Sequence, residues 1–439
     1  MSEARLERKI GLPGAILLSF NGAVGAGIFA LPAVLAADFG SFAPWLFPLV
    51  AILSLLIVLP FARSVAAFPD SGGPATYGRV FGRAAGFELG WIYYVARVAA
   101  FAANANVLIS YLGRWWPAVG EGLGRAAVLL AVTFALAAAN VAGTKRALTL
   151  LGGFTLLKAL PLLLFAVAGL AMFAPLPAPG APPPLSEFEA GALLVFYAFV
   201  GFENVVVPAG ETQRPSATLP RAILITIGST ALLYFLVQFA FVAAFPDGGP
   251  DTDAPLIDLG ALIAGPVGAA VLTLAAIFSL AGNLHANMTA TPRVTHAMGE
   301  AGDLPRWFAR VSARFATPAN SILFMAAAAA ALALTGSFIW LAVVSTLARL
   351  FVYAATIAAL PRAPERPRLT AAHWITGAIG IALCGYAALQ ADGKAWWTLG
   401  ALALAGLVLY ALAASASRSS TSTARVSAIQ PPPSTRDPS

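Results

Sequence analysis

The chain has a single cysteine, Cys384, among 439 residues, and charged side chains make up only 10% of it. One thiol excludes an intramolecular disulfide and a thiolate metal cluster. The three histidines, His285, His296 and His373, are too scattered to suggest a ligand set. No HExxH, phosphate-binding loop or nucleophile elbow occurs in a membrane-compatible context. No enzymatic or ATP-driven machinery is therefore visible, and no cofactor or metal is implied. Acidic residues are scarce: 19 Asp and Glu against 26 Lys and Arg leave a net charge of +7. Such an excess can signal nucleic acid. Here the basic residues sit in short loops between apolar runs, where membrane topology explains them better.

Apolar length is abundant. Hydrophobic residues make up 59% of the chain, mean hydropathy is +0.82, and the apolar runs recur at membrane length. The pattern predicts an all-α integral membrane protein with about twelve transmembrane helices. They lie near 12–37, 43–67, 87–112, 125–143, 149–174, 189–210, 219–245, 260–290, 318–335, 338–360, 371–390 and 396–414. The first run is too long for a signal peptide and lacks its cleavage site. Arg5, Arg8 and Lys9 precede it, and basic residues follow every even-numbered span from the second to the tenth: Arg63, Arg79 and Arg83; Lys145 and Arg146; Arg214 and Arg221; Arg293, Arg306, Arg310 and Arg314; Arg362, Arg366 and Arg368. The opposite loops hold Arg114, Arg125, Lys394 and the acidic Asp247, Asp251, Asp253 and Asp258. This asymmetry puts both termini in the cytoplasm of a multi-pass protein of the cell (inner) membrane.

Residues 1–414 read as one transmembrane domain and 415–439 as a disordered cytoplasmic tail. Pro175 to Pro184 should be an extended external connector. The loop 299–318 suggests a short amphipathic helix on the membrane surface, with Trp307, Phe308, Val311 and Phe315 inward.

Two spans are interrupted. Gly22, Gly25 and Gly27 break the first at mid-depth, and Gly201, Pro208 and Gly210 break the sixth. A helix in lipid must satisfy its own backbone, so irregular backbone at that depth survives where it lines a cavity or binds something. Glycine also permits close helix packing, the simpler account of any one of them. A pair of interrupted spans in corresponding halves points to a transporter's central site.

Four segments, in order, carry a family resemblance. GAVGAGIFALP in the first span, FPDSGGPATYGRVFG at 68–82, FYAFVGFENVVVPAGETQRPSATLPRAI at 196–223 and RVTHAMGEAGDLPRWFARV at 293–311 resemble the motifs of the amino acid–polyamine–organocation transporters. The resemblance implies a LeuT-type fold. Five helices (about 12–174) are followed by five of inverted topology (about 189–360), then two peripheral helices (about 371–414), with helices one and six broken.

The breaks themselves suggest the chemistry. Amides near Gly25, Ala26 and Gly27 should lack internal partners and face the N-terminus of a half-helix, which suits a carboxylate. Carbonyls near Ala23, and near Tyr197 and Val200 in the sixth span, suit an ammonium. An α-amino acid presents both groups, and in the resemblance Ala23, Ala26, Gly27, Tyr197 and Val200 match the substrate-binding positions. Tyr93, Tyr94, Tyr197 and Phe199 supply candidate aromatic walls, with ordinary packing the alternative for Phe199.

Charges at lipid depth are functional candidates. Lys158 lies midway along the fifth span. Its ammonium could occupy the place where sodium-coupled relatives hold a cation, against carbonyls of helices one and eight, or it could be a permanent helix-pairing charge. Arg97 in the third span never deprotonates and must pair with an acid or with substrate. Glu203, just past the second break, could pair with Arg97 or accept backbone amides. Arg349 in the tenth span suits an inner gate. Asn283, His285 and Asn287 interrupt the eighth span, with hydrogen bonds to neighbouring helices the expected role for two of them.

The combined expectation is a secondary active transporter, proton-coupled and sodium-independent, taking up a neutral amino acid by alternating access. An amino acid or amine exchanger or exporter is the alternative, and a sensor, channel or membrane enzyme fits less well. Its partners would be the amino acid, protons and the bilayer, with the chain a monomer or weak homodimer. If Arg97 meets substrate, an acidic side chain becomes the rival.

Overall fold

The computed structural model describes residues 10–68, 73–143, 147–175, 177–206, 212–250, 252–364 and 368–427. The expectations for Arg5, Arg8, Lys9, Lys145, Arg146, Pro208, Gly210, Asp251 and Arg366 fall outside them. Among the described residues the regular structure is helical throughout, apart from one isolated bridge between Ile10 and Thr212. Ten helices of the described residues are long and apolar enough to cross a membrane, with Ala26–Ala66 taken as one, and Leu12–Ala23 and Ala319–Thr335 are shorter apolar helices.

The first span is two helices. α1 (Leu12–Ala23) ends at Val24 and α2 (Ala26–Phe39) starts after Gly25, whose ψ of −142° is not helical. α2 stops at Gly40, where φ is +52°, and α3 (Ala43–Ala66) follows with Pro44 in its first turn. After the short α4 (Pro74–Gly78) comes α5 (Arg83–Gly113), nearly all of it buried from Phe87 to Ile109. α6 (Gly122–Ala142) and α7 (Ala147–Met172) complete the first half. α7 leaves Leu156, Leu157, Leu160, Leu163 and Leu164 outward, as a lipid-facing surface requires.

The stretch 177–184 is non-helical, and α8 (Leu185–Phe199) follows it. α8 ends at Val200, and a 3-10 turn covers Phe202–Val206. Next come α9 (Pro215–Ala244) and α10 (Pro255–Ala290). α10 kinks at Ala264–Gly265, with φ +58° at Gly265 and Pro266 behind it, so its long straight piece begins at Pro266 rather than at residue 260. The short α11 (Pro292–Glu300), then α12 (Ala319–Thr335), α13 (Phe338–Ala359), α14 (Ala371–Leu389) and α15 (Gly393–Ser427) finish the chain. α5 runs against α13 and α10 at the centre, while α9 packs against α3, α7 and α1.

Two sequence expectations are corrected. The loop after α11 is a series of turns, not an amphipathic helix, because Gly302 (φ +73°), Pro305 and Ala316 (φ +52°) interrupt it. Phe308 alone of its four apolar residues is buried, edge-on to Phe324 at 5.0 Å, while Trp307, Val311 and Phe315 are exposed. At the C-terminus, α15 runs on to Ser427, past the expected start of the tail at residue 415. Neither glycine nor proline occurs between Gly406 and Gln430 to stop it. Residues 428–439 lie outside the described residues.

The loop is tied to the entrance of α5. Asp303, 2% exposed, accepts from Arg83 Nε at 2.5 Å and from Arg79 at 3.2 Å. Two of the family-like segments, far apart in sequence, thus meet through one carboxylate.

Candidate functional site

The two breaks lie against each other. Gly201 has φ +113°, and a Cβ there would sit 2.2 Å from the Gly22 carbonyl oxygen. Only glycine tolerates both that dihedral and that approach. Ser19 Oγ donates to the Phe202 carbonyl at 2.8 Å, so α1 is bonded to the turn that follows the second break.

At the first break the backbone groups are better satisfied than the sequence suggests. The Gly25 amide donates to the Ala23 carbonyl at 3.0 Å, and the Ala26 amide donates to Asn104 Oδ1 at 3.0 Å. The expectation of unpartnered amides is therefore corrected at Gly25 and Ala26. Gly27 and Ile28 remain in the first turn of α2, where helix geometry supplies no internal acceptor. Gly27 also packs tightly, since a Cβ on it would be 2.8 Å from the Ala198 Cα on α8. The Ala23 carbonyl likewise has a partner, the Tyr234 hydroxyl at 3.1 Å. At the second break the Tyr197 carbonyl accepts the Val200 amide at 3.1 Å.

Lys158 is 1% exposed, and its ammonium donates to the Val24 carbonyl at 3.0 Å and the Asn21 carbonyl at 3.2 Å. α10 contributes side chains at the same place: Ser279 Oγ donates to the Val24 carbonyl at 3.2 Å, and Asn283 Nδ2 to the Gly22 carbonyl at 3.3 Å. The cation thus sits among oxygens of the broken helix. No carboxylate lies within ion-pair distance of it among the described residues.

Glu203 does not pair with Arg97. Its Oε1 accepts from Arg349 Nε at 2.8 Å, both side chains being at least 96% buried, and its Oε2 accepts the Gly201 amide at 2.8 Å. Arg349 also reaches the Ala96 carbonyl at 3.2 Å and the Ser345 hydroxyl. The residue expected at an inner gate is therefore the counter-ion of the second break. Arg97 is held by neutral oxygens: Thr291 Oγ1 at 2.7 Å, Asn204 Oδ1 at 2.7 Å and the Tyr93 hydroxyl at 3.1 Å. Asn204 in turn crowds Gly22, so Arg97 stands beside both breaks.

The aromatic walls divide. Tyr93 contacts Arg97, and Tyr197 meets Phe338 edge-on at 5.7 Å. Tyr94 stacks on Trp91 at 5.3 Å and Phe324 at 6.1 Å, toward α12 and away from the breaks. Phe199 stacks on Tyr234 at 6.2 Å and meets Phe47 edge-on at 6.4 Å, as a core residue does. Tyr94 leaves the candidate lining, because α5 turns it toward α12, whereas Phe199 is packed on Tyr234, whose hydroxyl reaches the Ala23 carbonyl.

Asn287 Nδ2 donates to the Arg97 carbonyl at 3.0 Å and Asn283 to α1, so these two bond across helices, one turn apart. Sequence reasoning missed Asn104, Tyr234 and Ser279. Asn104 carried a signal, a polar side chain amid alanines at mid-span. Tyr234 and Ser279 carried none that separates them from ordinary span residues.

A family model described as amino acid permease matches residues 10–391. The chain is similar to an uncharacterized transporter of Mycobacterium tuberculosis, 32% identical over 335 residues, 75% of this chain and 74% of that one. An uncharacterized amino acid permease of Bacillus subtilis is 26% identical, over 73% of this chain and 76% of that one. The serine/threonine exchanger of the same organism is 28% identical, over 74% and 76%.

Proposed function

We propose that this chain, which belongs to the amino acid permease family and is a multi-pass amino acid transporter, works by proton-coupled, sodium-independent uptake. The substrate of this reading is a neutral amino acid, moved by alternating access across the cell membrane with both termini cytoplasmic. The reading takes residues 1–414 as one unit of two five-helix halves and two peripheral helices.

One observation carries it: the Lys158 ammonium between the Val24 and Asn21 carbonyls, buried at the first break. Those oxygens would otherwise be available to a metal cation. A sodium ion about 4 Å from a resident positive charge, at an effective dielectric near 20, is repelled by about 4 kcal/mol. Unlike a guanidinium, an ammonium can lose its charge. Deprotonation of Lys158 toward the cytoplasm would remove that charge and loosen α1 from α7 and α10, favouring release inward.

For substrate, the first turn of α2 suits a carboxylate and the carbonyls at the end of α1 suit an ammonium. A neutral side chain agrees with Glu203, the one carboxylate at the breaks among the described residues, being committed to Arg349. Arg97, held among the described residues by neutral oxygens, favours a second reading in which an acidic side chain reaches it. The serine/threonine exchanger among the relatives supports exchange as the alternative to net uptake.

The test is uptake into proteoliposomes across the twenty amino acids, with imposed pH or sodium gradients. Accumulation that follows the pH gradient without sodium supports the reading. A wild type that requires sodium overturns it.

A further inference from the structure

The broken helix offers two sets of backbone groups, and a side-chain amide covers each. Asn104 Oδ1 accepts from the Ala26 amide at 3.0 Å, at the start of α2. Asn283 Nδ2 faces the end of α1, donating to the Gly22 carbonyl at 3.3 Å and the Asn21 carbonyl at 3.5 Å. The two amides come from different helices and converge on one residue. A Cβ on Gly25 would lie 3.0 Å from Asn104 Oδ1 and 3.2 Å from Asn283 Nδ2. Their orientation follows from their partners, because Asn104 Nδ2 donates to the Ala100 carbonyl at 2.8 Å and must keep its oxygen toward Ala26.

We propose that Asn104 and Asn283 hold the places of a substrate's carboxylate and ammonium at the first break, and that an α-amino acid binds by displacing them. The inference rests on the amino acid reading above and extends it. The Asn104 oxygen is a neutral acceptor at a helix N-terminus, where a carboxylate accepts more strongly. The Asn283 contact to the Gly22 carbonyl, 3.3 Å, is long for an N–H···O bond, so an ammonium at that carbonyl, which Lys158 does not bond, replaces a weak donor with a charged one. Each asparagine keeps the break satisfied without substrate, since an unmet buried backbone group is costly. The substrate then exchanges hydrogen bonds rather than filling empty ones. A zwitterion replaces both amides at once, whereas a plain amine or carboxylic acid replaces one.

A permanent cap makes the opposite prediction, so the two roles separate by experiment. Thermal stabilisation of the purified full-length protein is measured with the twenty amino acids, n-butylamine and phenethylamine. Wild type should respond to an amino acid and not to the amines. Asn104→Ala should bind that amino acid about fivefold more tightly, having lost its competitor. Asn283→Ala should tighten it as well. Asn104→Asp supplies a carboxylate within the protein, so it should lose the amino acid and gain an amine, shifting the preference by about tenfold or more.

Loss of amino acid binding in a folded Asn104→Ala, or no amine response in a folded Asn104→Asp, overturns the proposal. If Asn104→Asp does not fold, the direction of the change in Asn104→Ala decides. If wild type binds no amino acid, the transport reading fails separately, and the amine response of Asn104→Asp still decides the role of Asn104.

Discussion

Gly22 and Gly201 meet backbone to backbone: a Cβ on Gly22 would lie 2.3 Å from the Gly201 carbonyl oxygen, and one on Gly201 only 2.2 Å from that of Gly22. The two interruptions, nearly 180 residues apart in sequence, are one structural feature. Neither can be refilled without moving the other.

Gly201→Ala tests this contact. Strained backbone at φ +113° costs roughly 1–3 kcal/mol before any clash is counted. The variant should insert but show a lower Tm and little uptake. Wild-type uptake and Tm would mean that the breaks move independently.

Gly27→Val should abolish substrate binding, for a reason that includes packing. Its side chain would push α2 from Ala198 as well as crowd the first-turn amides. Ligand-induced stabilisation is the measurement, and wild-type affinity in this variant would put the substrate elsewhere.

Lys158→Ala separates coupling from binding. The variant should still bind substrate yet lose the dependence of accumulation on pH. In wild-type proteoliposomes, acid outside should raise accumulation and its reversal should lower it, since in the proposed mechanism the proton enters with the substrate. A variant that keeps full pH-driven accumulation would remove Lys158 from the mechanism.

Glu203→Gln leaves the Arg349 guanidinium buried without its carboxylate. Breaking one side of such a pair costs about 3–5 kcal/mol, so a large drop in Tm is expected. The double variant Glu203→Gln, Arg349→Met should recover part of it. A single variant as stable as wild type would show that water or another group compensates the charge.

Arg97→Ala addresses substrate charge. If the neutral reading holds, affinity for neutral amino acids should persist and glutamate should bind weakly before and after. Strong glutamate binding that disappears in the variant would establish the acidic alternative.

The sequence alone determined that this is a helical membrane protein, where its apolar runs begin and end, and that glycine interrupts two of them. These properties are local: hydrophobic length and the absence of a Cβ act on the segment that carries them. Lys158 was legible on the same ground, as a charge that lipid depth does not tolerate without a purpose. The family resemblance pointed it at carbonyls of helices one and eight. Which oxygens it bonds was not legible, because the Val24 carbonyl of helix one lies 134 residues away and only helix packing brings it within 3.0 Å. The same reason explains why Glu203 joins Arg349 and not Arg97. Spacing placed all three on separate spans but could not say which faces would meet. Tyr94 turns toward α12 through the rotation of α5, and Phe199 packs on Tyr234, both of which depend on how the neighbouring helices meet. The tertiary structure alone decided how the broken backbone is satisfied, since Asn104, Asn283, Ser279 and Tyr234 reach it from three different helices.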